Sequence, residues 1–196
     1  MSTRIIAMLG KARHGKDTFA TRLTEEHGYT RFAFADALRE AALKLDPWIT
    51  VEADERHLLN WRPAATAPVV VRLSALVREL GWEKAKELRE VRRTLQCMGV
   101  GVRDLDPEFW VRVVMDAVDN HLGPVVITDV RFPNEVAAVV SRAGRTVRVV
   151  NPRVPAAEDQ HVSETALDLY QPRHVVMNAG TIEDLHRHAD RIAALS

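Results

Sequence analysis

The feature that constrains this chain most is a glycine loop placed directly after a short apolar run. Residues 5–9, IIAML, are continuously apolar, which is typical of a strand buried inside a parallel sheet. The loop GKARHGKDT follows at residues 10–18, and residues 18–27 have a helical pattern that ends at Gly28. This order predicts an α/β protein, because parallel strands must be joined by a crossover that is usually a helix.

The loop also predicts a phosphate-binding site. It fits the pattern G-x-x-x-x-G-K, with Asp-Thr where Ser or Thr usually follows. Glycines let backbone N–H groups point into one concavity, and the helix N-terminus adds positive potential. Lys16 would reach the phosphates as a point charge, Asp17 would face Mg²⁺, and Thr18 would bind a phosphate or share the metal. The alternative is a chance glycine turn.

A second apolar strand, residues 125–129, ends in an acid. Phosphate-loop proteins place a second acid near Mg²⁺ at such a strand end, so Asp129 is a candidate metal ligand; a helix cap or turn is the alternative. Arg131 would bridge the transferring phosphoryl oxygens, or form a structural ion pair.

The rest of the chain alternates strands and helices, which predicts a largely parallel sheet. Strands are predicted at residues 30–34, 146–150 and 174–177. Helices are predicted at 36–45, 73–98 with a break near Gly81, 106–121 with proline at its first position, 134–143 and 182–195. Residues 46–71 contain three prolines and are predicted to form a loop-rich insert or hairpin.

Composition excludes several classes. Lys+Arg is 27 and Asp+Glu is 27, so the charge balance argues against broad binding to nucleic acid or to a membrane surface. Cys97 is the only cysteine, which rules out an intrachain disulfide; we expect a small buried side chain there. No apolar stretch approaches the roughly 20 residues of a membrane span. A cytoplasmic protein with small-molecule partners is therefore expected.

Seven segments together resemble the bacteriophage-type deoxynucleoside monophosphate kinases. In chain order they are GKARHGKDT, RFAFADALRE, RRTLQCMG, DPEFWV, VVITDVRFPNEV, HVSETALD and NAGTIEDL. The resemblance implies a single P-loop kinase domain over residues 1–196: a three-layer α/β/α fold with a mostly parallel sheet, a helical substrate-binding insert at about 46–105 and a short lid at about 151–160. It also implies nucleotide partners, ATP and Mg²⁺, and action in the host cytoplasm if the chain is phage-encoded. The oligomeric state stays open, with a homodimer as one alternative.

The resemblance assigns roles residue by residue. The donor would be held by Gly10, Ala12, Arg13, His14, Gly15, Lys16, Asp17 and Thr18, with Arg153 of the lid at the donor base. The transferring phosphoryl group would be stabilised by Lys16, Arg13 and Arg131, with Asp129, Asp17 and Thr18 at the metal. The acceptor would be held by Lys11, Asp36, Arg39, Lys44, Trp61, Arg93, Gln96, Arg103 and Asp104.

Several of these acceptor assignments also have support from spacing. Arg93 and Gln96 are three residues apart and share one helical face, which suits a phosphate and a base edge. Gly99 is predicted to end that helix and so to bring Arg103 and Asp104 near the same cleft. Trp61 would offer a flat apolar face to a base, whereas Trp110 is predicted to pack in the core.

Two other hypotheses stay open. The Lys-Asp loop and HVSETALD are also similar to phosphomevalonate kinases, whose acceptor has no base for Trp61 or Gln96 to contact. A non-catalytic ATP-binding module would use residues 129–131 only structurally. A phosphate acceptor is favoured because its oxygen is already a competent nucleophile, and the sequence shows no obvious general base.

Overall fold

The structure, a computed structural model, describes residues 4–60, 68–155 and 165–195. The chain divides into two compact units, one formed by Met1–Phe34 with Val111–Ser196 and the other by Ala35–Trp110. The predicted insert, about residues 46–105, falls inside the second unit. Within the described ranges, no helix is long and apolar enough to cross a membrane.

The elements follow the predicted alternation. The strands are β1 (Ile5–Leu9), β2 (Thr30–Phe32), β3 (Trp48–Val51), β4 (Val69–Arg72), β5 (Val125–Ile127), β6 (Arg145–Val150) and β7 (His174–Met177). The α-helices are α1 (Lys16–His27), α2 (Phe34–Leu45), α3 (Leu73–Ala85), α4 (Arg89–Leu105), α5 (Phe109–Asp119), α6 (Pro133–Val140) and α7 (Ile182–Ala194), with a 3₁₀ helix at Ala53–Leu58.

The first unit is built on a parallel sheet of five strands in the order β2-β5-β1-β6-β7. The central strand β1 is buried along its whole length, as its continuous apolar run predicts. Its side chains alternate between two faces, so Ile6 and Met8 share a core with Phe19 and Leu23 of α1 and with side chains of α7. Burying an aliphatic or aromatic side chain of this kind contributes about 2 kcal/mol.

The opposite face of the sheet is covered by α6. A Cβ atom on Gly144 would contact both Ile5 of β1 and Val139 of α6, which places these two side chains together. Because Ile5 and Ile6 point to opposite faces of the strand, α6 and the pair α1–α7 lie on opposite sides of the sheet. The predicted α/β/α layering is therefore confirmed.

The second unit has its own core. Strands β3 and β4 pair in antiparallel register, with Ile49 opposite Val71, which agrees with a hairpin-like insert. Ile49 and Val51 pack with Leu73, Leu76 and Leu88 in a separate apolar cluster. Gly81 interrupts α3 with non-helical dihedral angles, φ 70° and ψ 162°, at the predicted break.

Three local predictions are wrong. Gly99 does not end a helix: α4 continues to Leu105, and Gly99 is buried where its missing side chain admits Leu38. Cys97 is exposed rather than buried, because it lies one helical turn after the exposed Arg93 on the polar side of α4. Pro107 does not begin a helix, since α5 starts at Phe109.

Candidate active site

The glycine loop lies at the carboxyl edge of the sheet, between β1 and α1. Gly10 and Gly15 have φ values of 124° and 100°, a region that favours glycine. Both glycines are also tightly packed: a Cβ on Gly10 would collide with the carbonyl oxygen of Val149, and one on Gly15 would lie 2.5 Å from Nδ2 of Asn178. The predicted glycines are therefore demanded by the backbone and by the space around it.

Lys16 lies across the loop. Its Nζ donates hydrogen bonds to the carbonyl oxygens of Gly10, at 2.6 Å, and of Lys11, at 2.7 Å, and the side chain is half-buried. An ammonium group held at the first peptides of a glycine loop is suited to meet an anion in that loop, because hydrogen bonds between charged partners are stronger than those to neutral carbonyl groups.

The first turn of α1 carries the two predicted metal ligands. Asp17 is exposed and Thr18 half-buried, and neither side chain has a hydrogen-bond partner in the part of the chain that the structure describes. Ala12 and Arg13 are exposed, and Arg13 has a positive φ of 63°. These oxygens and this cation are therefore open to a ligand at the start of α1.

The loop is fastened to two further strand ends through His14. The ring nitrogen Nδ1 of His14 lies 3.3 Å from the carbonyl oxygen of Val149 and 3.3 Å from the backbone nitrogen of Asn151, both at the end of β6. The side-chain amide of Asn178, which directly follows β7, donates to the His14 carbonyl at 3.0 Å. The sequence did not predict a role for Asn178, although this residue begins the segment NAGTIEDL that resembles the kinase family.

The end of β5 supplies Asp129 and Arg131, as predicted. Oδ1 of Asp129 accepts the backbone N–H of Phe34, the first residue of α2, at 2.8 Å. This contact is the capping role that the sequence left as an alternative. Oε2 of the buried Glu135 accepts the backbone N–H of Arg131 at 2.7 Å, which fixes the chain where Arg131 leaves the strand.

A pocket of about 180 Å³ brings Arg131 together with the glycine loop. It is lined by Gly10, Lys11, His14, Val130, Arg131, Arg148, Val149, Val150, Leu167 and Asp168. Nζ of Lys11 lies 3.4 Å from Asp168, and Arg148 donates to the Leu167 carbonyl at 2.6 Å. Sequence reasoning missed Arg148 and Asp168, because nothing local marks residues that only the parallel sheet brings to the loop.

Arg153 follows β6 on the same side of the unit. Its guanidinium donates to the Ala179 carbonyl at 2.6 Å, so it lies beside the segment that follows β7. Residues 156–160 of the predicted lid lie outside the described residues, as does Trp61.

An ion-pair cluster fastens α1 to α7 behind the loop. Asp190 accepts hydrogen bonds from Arg22, at 2.8 and 3.2 Å, and from His27, at 2.8 Å. Arg22 first and His27 second lower the pKa of Asp190 to about 2. The helix that carries the loop is thus held along its length by the last helix of the chain.

In the second unit, the side chain of Arg39 is held in position by three neighbouring side chains. It donates to Asp36 at 3.2 Å, approaches Glu83 at 3.9 Å, and stacks over Trp82 with 5.6 Å between the guanidinium carbon and the ring centre. Lys44 is different, since its side chain is 74% exposed and pairs with Glu40 at 2.8 Å. The geometry therefore shows an ordinary surface ion pair at Lys44.

The remaining predicted acceptor residues are distributed along α4. Arg93 is exposed and lines a pocket of about 270 Å³ with Thr50, Glu52, Glu55, Arg89 and Glu90. Gln96 is also exposed, whereas Arg103 is half-buried and Asp104 exposed in the last turn of the helix. Trp110 is 4% exposed and donates to the Gly99 carbonyl at 3.3 Å, which confirms its place in the core.

The titratable residues of the described ranges form no group of three or more His, Cys, Asp or Glu that would hold a metal ion by themselves.

A parallel sheet with β1 at its centre, a glycine loop after β1 and a lysine that lies across that loop define a P-loop protein of the three-layer α/β/α class. The chain belongs to the deoxynucleotide monophosphate kinase family, whose model matches residues 64–189. It is thus a member of a family of nucleoside monophosphate kinases, as the sequence resemblance predicts. The matched range includes Asp129 and Arg131 and begins after the glycine loop.

Individual relatives come from viruses and phages. The chain is similar to the uncharacterized protein ORF77 of Ictalurid herpesvirus 1 (39% identity, 45% of this chain and 41% of the relative), and to a putative deoxynucleotide monophosphate kinase of Acanthamoeba polyphaga mimivirus (24%, 93% and 92%). It is also similar to the deoxynucleotide monophosphate kinase of Escherichia phage RB69 (26%, 52% and 44%). The chain thus spans less than half the length of two of these relatives and nearly all of the third.

Solved structures that align with nearly the whole chain include TT1252 from Thermus thermophilus, at 19% identity and a TM-score of 0.49, covering 100% of this chain and 98% of that one. Another is shikimate kinase from Aquifex aeolicus, at 10% identity and a TM-score of 0.48, covering 97% and 96%.

Proposed function

We propose that the protein transfers the γ-phosphoryl group of ATP to the phosphate of a deoxynucleoside 5′-monophosphate, giving the diphosphate, with Mg²⁺ as cofactor. The observation that carries this proposal is the position of Lys16, whose ammonium group lies on the carbonyls of Gly10 and Lys11, while Arg131 lines the pocket beside the same two residues. Lys16 at the start of α1 and Arg131 after β5 thus both lie beside Gly10 and Lys11, where we place the transferring phosphoryl group.

The donor phosphates would lie in the loop. The helix α1 has 12 residues, and its unpaired N–H groups favour an anion at its N-terminus. When phosphates enter, Lys16 exchanges neutral carbonyl acceptors for charged oxygens, a stronger hydrogen bond. The backbone therefore binds the donor, while the lysine meets the charge that develops on the transferring group.

Mg²⁺ would be held by Asp17 and Thr18. The Asp17 carboxylate and the Thr18 hydroxyl have no hydrogen-bond partner among the described residues. Their oxygen atoms suit a hard cation that binds carboxylate, hydroxyl and phosphate oxygens. Asp129 is a third candidate, although its Oδ1 already caps α2. When bound, Mg²⁺ neutralises charge on the phosphates and orients them.

Transfer would follow an in-line displacement. An oxygen of the acceptor phosphate forms a bond to the γ-phosphorus while the bond to the β,γ-bridging oxygen breaks, and ADP leaves with that electron pair. Arg131, Lys16 and Arg13 would stabilise the negative charge on the transferring oxygens. No general base is needed, because the acceptor oxygen is already ionised at neutral pH.

The acceptor would be held by residues of the second unit. Arg39 is held by Asp36 and Trp82 in one conformation, so it would lose little side-chain entropy on binding a phosphate. Arg93 and Gln96 are exposed on α4 and would contact the phosphate and the base edge. Trp61, Arg103 and Asp104 complete the proposed set, with Lys44 as its weakest member. A cytoplasmic location stays a prediction.

The test is a coupled assay of ADP release with each deoxynucleoside monophosphate, each ribonucleoside monophosphate and phosphomevalonate as acceptor, run with and without Mg²⁺. We expect Mg²⁺-dependent release with one or more deoxynucleotides. Release with phosphomevalonate alone would replace the proposed acceptor with a base-free one. No release with any acceptor, from a protein that binds ATP, would favour the non-catalytic module.

A further inference from the structure

We infer that Asn178 is a positioning residue for the phosphate loop, because its amide holds the His14 carbonyl so that the Gly15 N–H is aimed at the donor phosphates. The inference rests on the proposed use of the loop for ATP. Asn178 lies outside the loop, and its side chain contacts the loop through the His14 carbonyl, so its role is indirect.

Asn178 is itself fixed in place. Its backbone N–H donates to the Val150 carbonyl at 2.7 Å, which ties the residue to the end of β6, and its side chain donates to His14 at 3.0 Å. The side chain is only partly exposed. An amide anchored at its own backbone in this way spends little additional entropy on holding the loop.

The direction of the Gly15 N–H follows from the planarity of the peptide bond. The peptide between His14 and Gly15 is trans, so its C=O and N–H point in opposite directions. With the His14 carbonyl directed at Asn178, the Gly15 N–H is directed away from Asn178. Gly15 is the N-cap of α1, where a free N–H serves an incoming anion.

Packing at Gly15 supports the same pairing. A Cβ atom at this position would lie 2.5 Å from Nδ2 of Asn178, so the amide can approach the peptide only because residue 15 is glycine. The positive φ of 100° at Gly15 independently favours glycine. Gly15 and Asn178 therefore act together to set the conformation of the loop.

The experiment measures ATP and ADP affinity by titration calorimetry in the presence of Mg²⁺ and absence of acceptor, together with KM and kcat for ATP and for the best acceptor. The variants are N178D, which keeps the shape but places a carboxylate against the His14 carbonyl, N178A, which removes the donor, and N178S, which keeps a shorter donor. The matched control is N120A, since Asn120 makes the same kind of bond, from Nδ2 to the Asp116 carbonyl at 2.8 Å, far from the loop in sequence.

We expect N178D and N178A to bind ATP about tenfold or more weakly, the effect of losing one well-placed hydrogen bond. N178S should recover part of this loss, the acceptor KM should stay unchanged, and N120A should bind ATP as the wild type does. Wild-type ATP affinity in folded N178A would overturn the inference, as would an equal loss in N120A.

The test of Asn178 and the test of the proposed reaction can fail independently. A wild-type protein that binds ATP but phosphorylates no acceptor would refute the proposed reaction, while the ratio of ATP affinities would still decide the role of Asn178.

Discussion

Nζ of Lys16 lies 2.6 Å from the carbonyl oxygen of Gly10, so the first residue of α1 is bonded to the first residue of the glycine loop. This closes the loop around the place where an anion would bind. The ammonium group is therefore already located where phosphate oxygens would replace the carbonyls.

Lys16→Ala should lower kcat by about 10²-fold or more, because charge stabilisation in the transition state is lost. The fold should persist, since the hydrogen bonds of the lysine to Gly10 and Lys11 lie within the loop and not in the apolar core. Steady-state kinetics and circular dichroism test this. Lys84→Ala, at an exposed position of α3, is the control and should keep wild-type turnover. Near-normal turnover in Lys16→Ala would refute the assignment of the loop.

Arg131→Lys should lower kcat about tenfold or more with little change in KM, because a guanidinium contacts two phosphoryl oxygens where an ammonium contacts one. The exposed Arg187, which pairs with Asp184 on α7, offers Arg187→Lys as a control with no expected kinetic change. If Arg131→Lys changes only thermal stability, Arg131 is structural and its proposed role passes to Arg13 or Arg103.

Asp17→Asn should raise the Mg²⁺ concentration needed for half-maximal activity more than it raises the KM for ATP, since the amide is a poorer ligand for a hard cation. Glu183→Gln is a matched control, because Glu183 occupies the second position of α7 as Asp17 does in α1. A carboxylate that only favours the helix dipole would give both variants the same small loss of stability. An unchanged Mg²⁺ titration in Asp17→Asn would place the metal elsewhere.

Glycine substitutions at the two ends of α1 distinguish backbone strain from loss of ATP binding. Gly15→Ala should abolish ATP binding, because its Cβ would meet Asn178 and its φ is 100°. Gly28→Ala, at the other end, places its Cβ in open space at a φ of 66°. We expect it to cost about 1 kcal/mol, or about 3 °C in Tm, and to leave ATP affinity unchanged. Equal ATP affinity in both variants would contradict the proposed site.

Asp190→Asn should lower Tm by about 3 °C at pH 7, corresponding to about 1 kcal/mol for partly exposed ion pairs. The pKa of Asp190 is lowered from 3.8 to about 2 in the folded protein, chiefly by Arg22 and then by His27. The benefit is therefore complete above about pH 4 and disappears as the pH falls towards 2. Thermal melts from pH 7 to 2 should show the wild-type advantage over Asp190→Asn shrinking over that interval.

Much of the fold was predictable because it depends on local patterns. The buried run at residues 5–9, the strand at His174–Met177 and the end of α1 at Gly28 agree with the structure. The prediction that Gly99 ends a helix was wrong for a non-local reason. In the sequence a glycine within a helical pattern indicates a helix end, but here glycine leaves room for the side chain of Leu38, which packs against it.

The residues of the candidate site likewise fall into those that local sequence patterns predict and those that only the tertiary structure places there. The sequence by itself determined the loop, Lys16, and the placement of Asp129 and Arg131 at a strand end, because these depend on consecutive residues and on the rule that parallel strands end at one edge. Only the tertiary structure decided that Asn178, Arg148 and Asp168 reach the same loop. They come from segments at least 130 residues away, and the pairing of β6 with β1 and of β7 with β6, which no local pattern encodes, brings these segments to the loop.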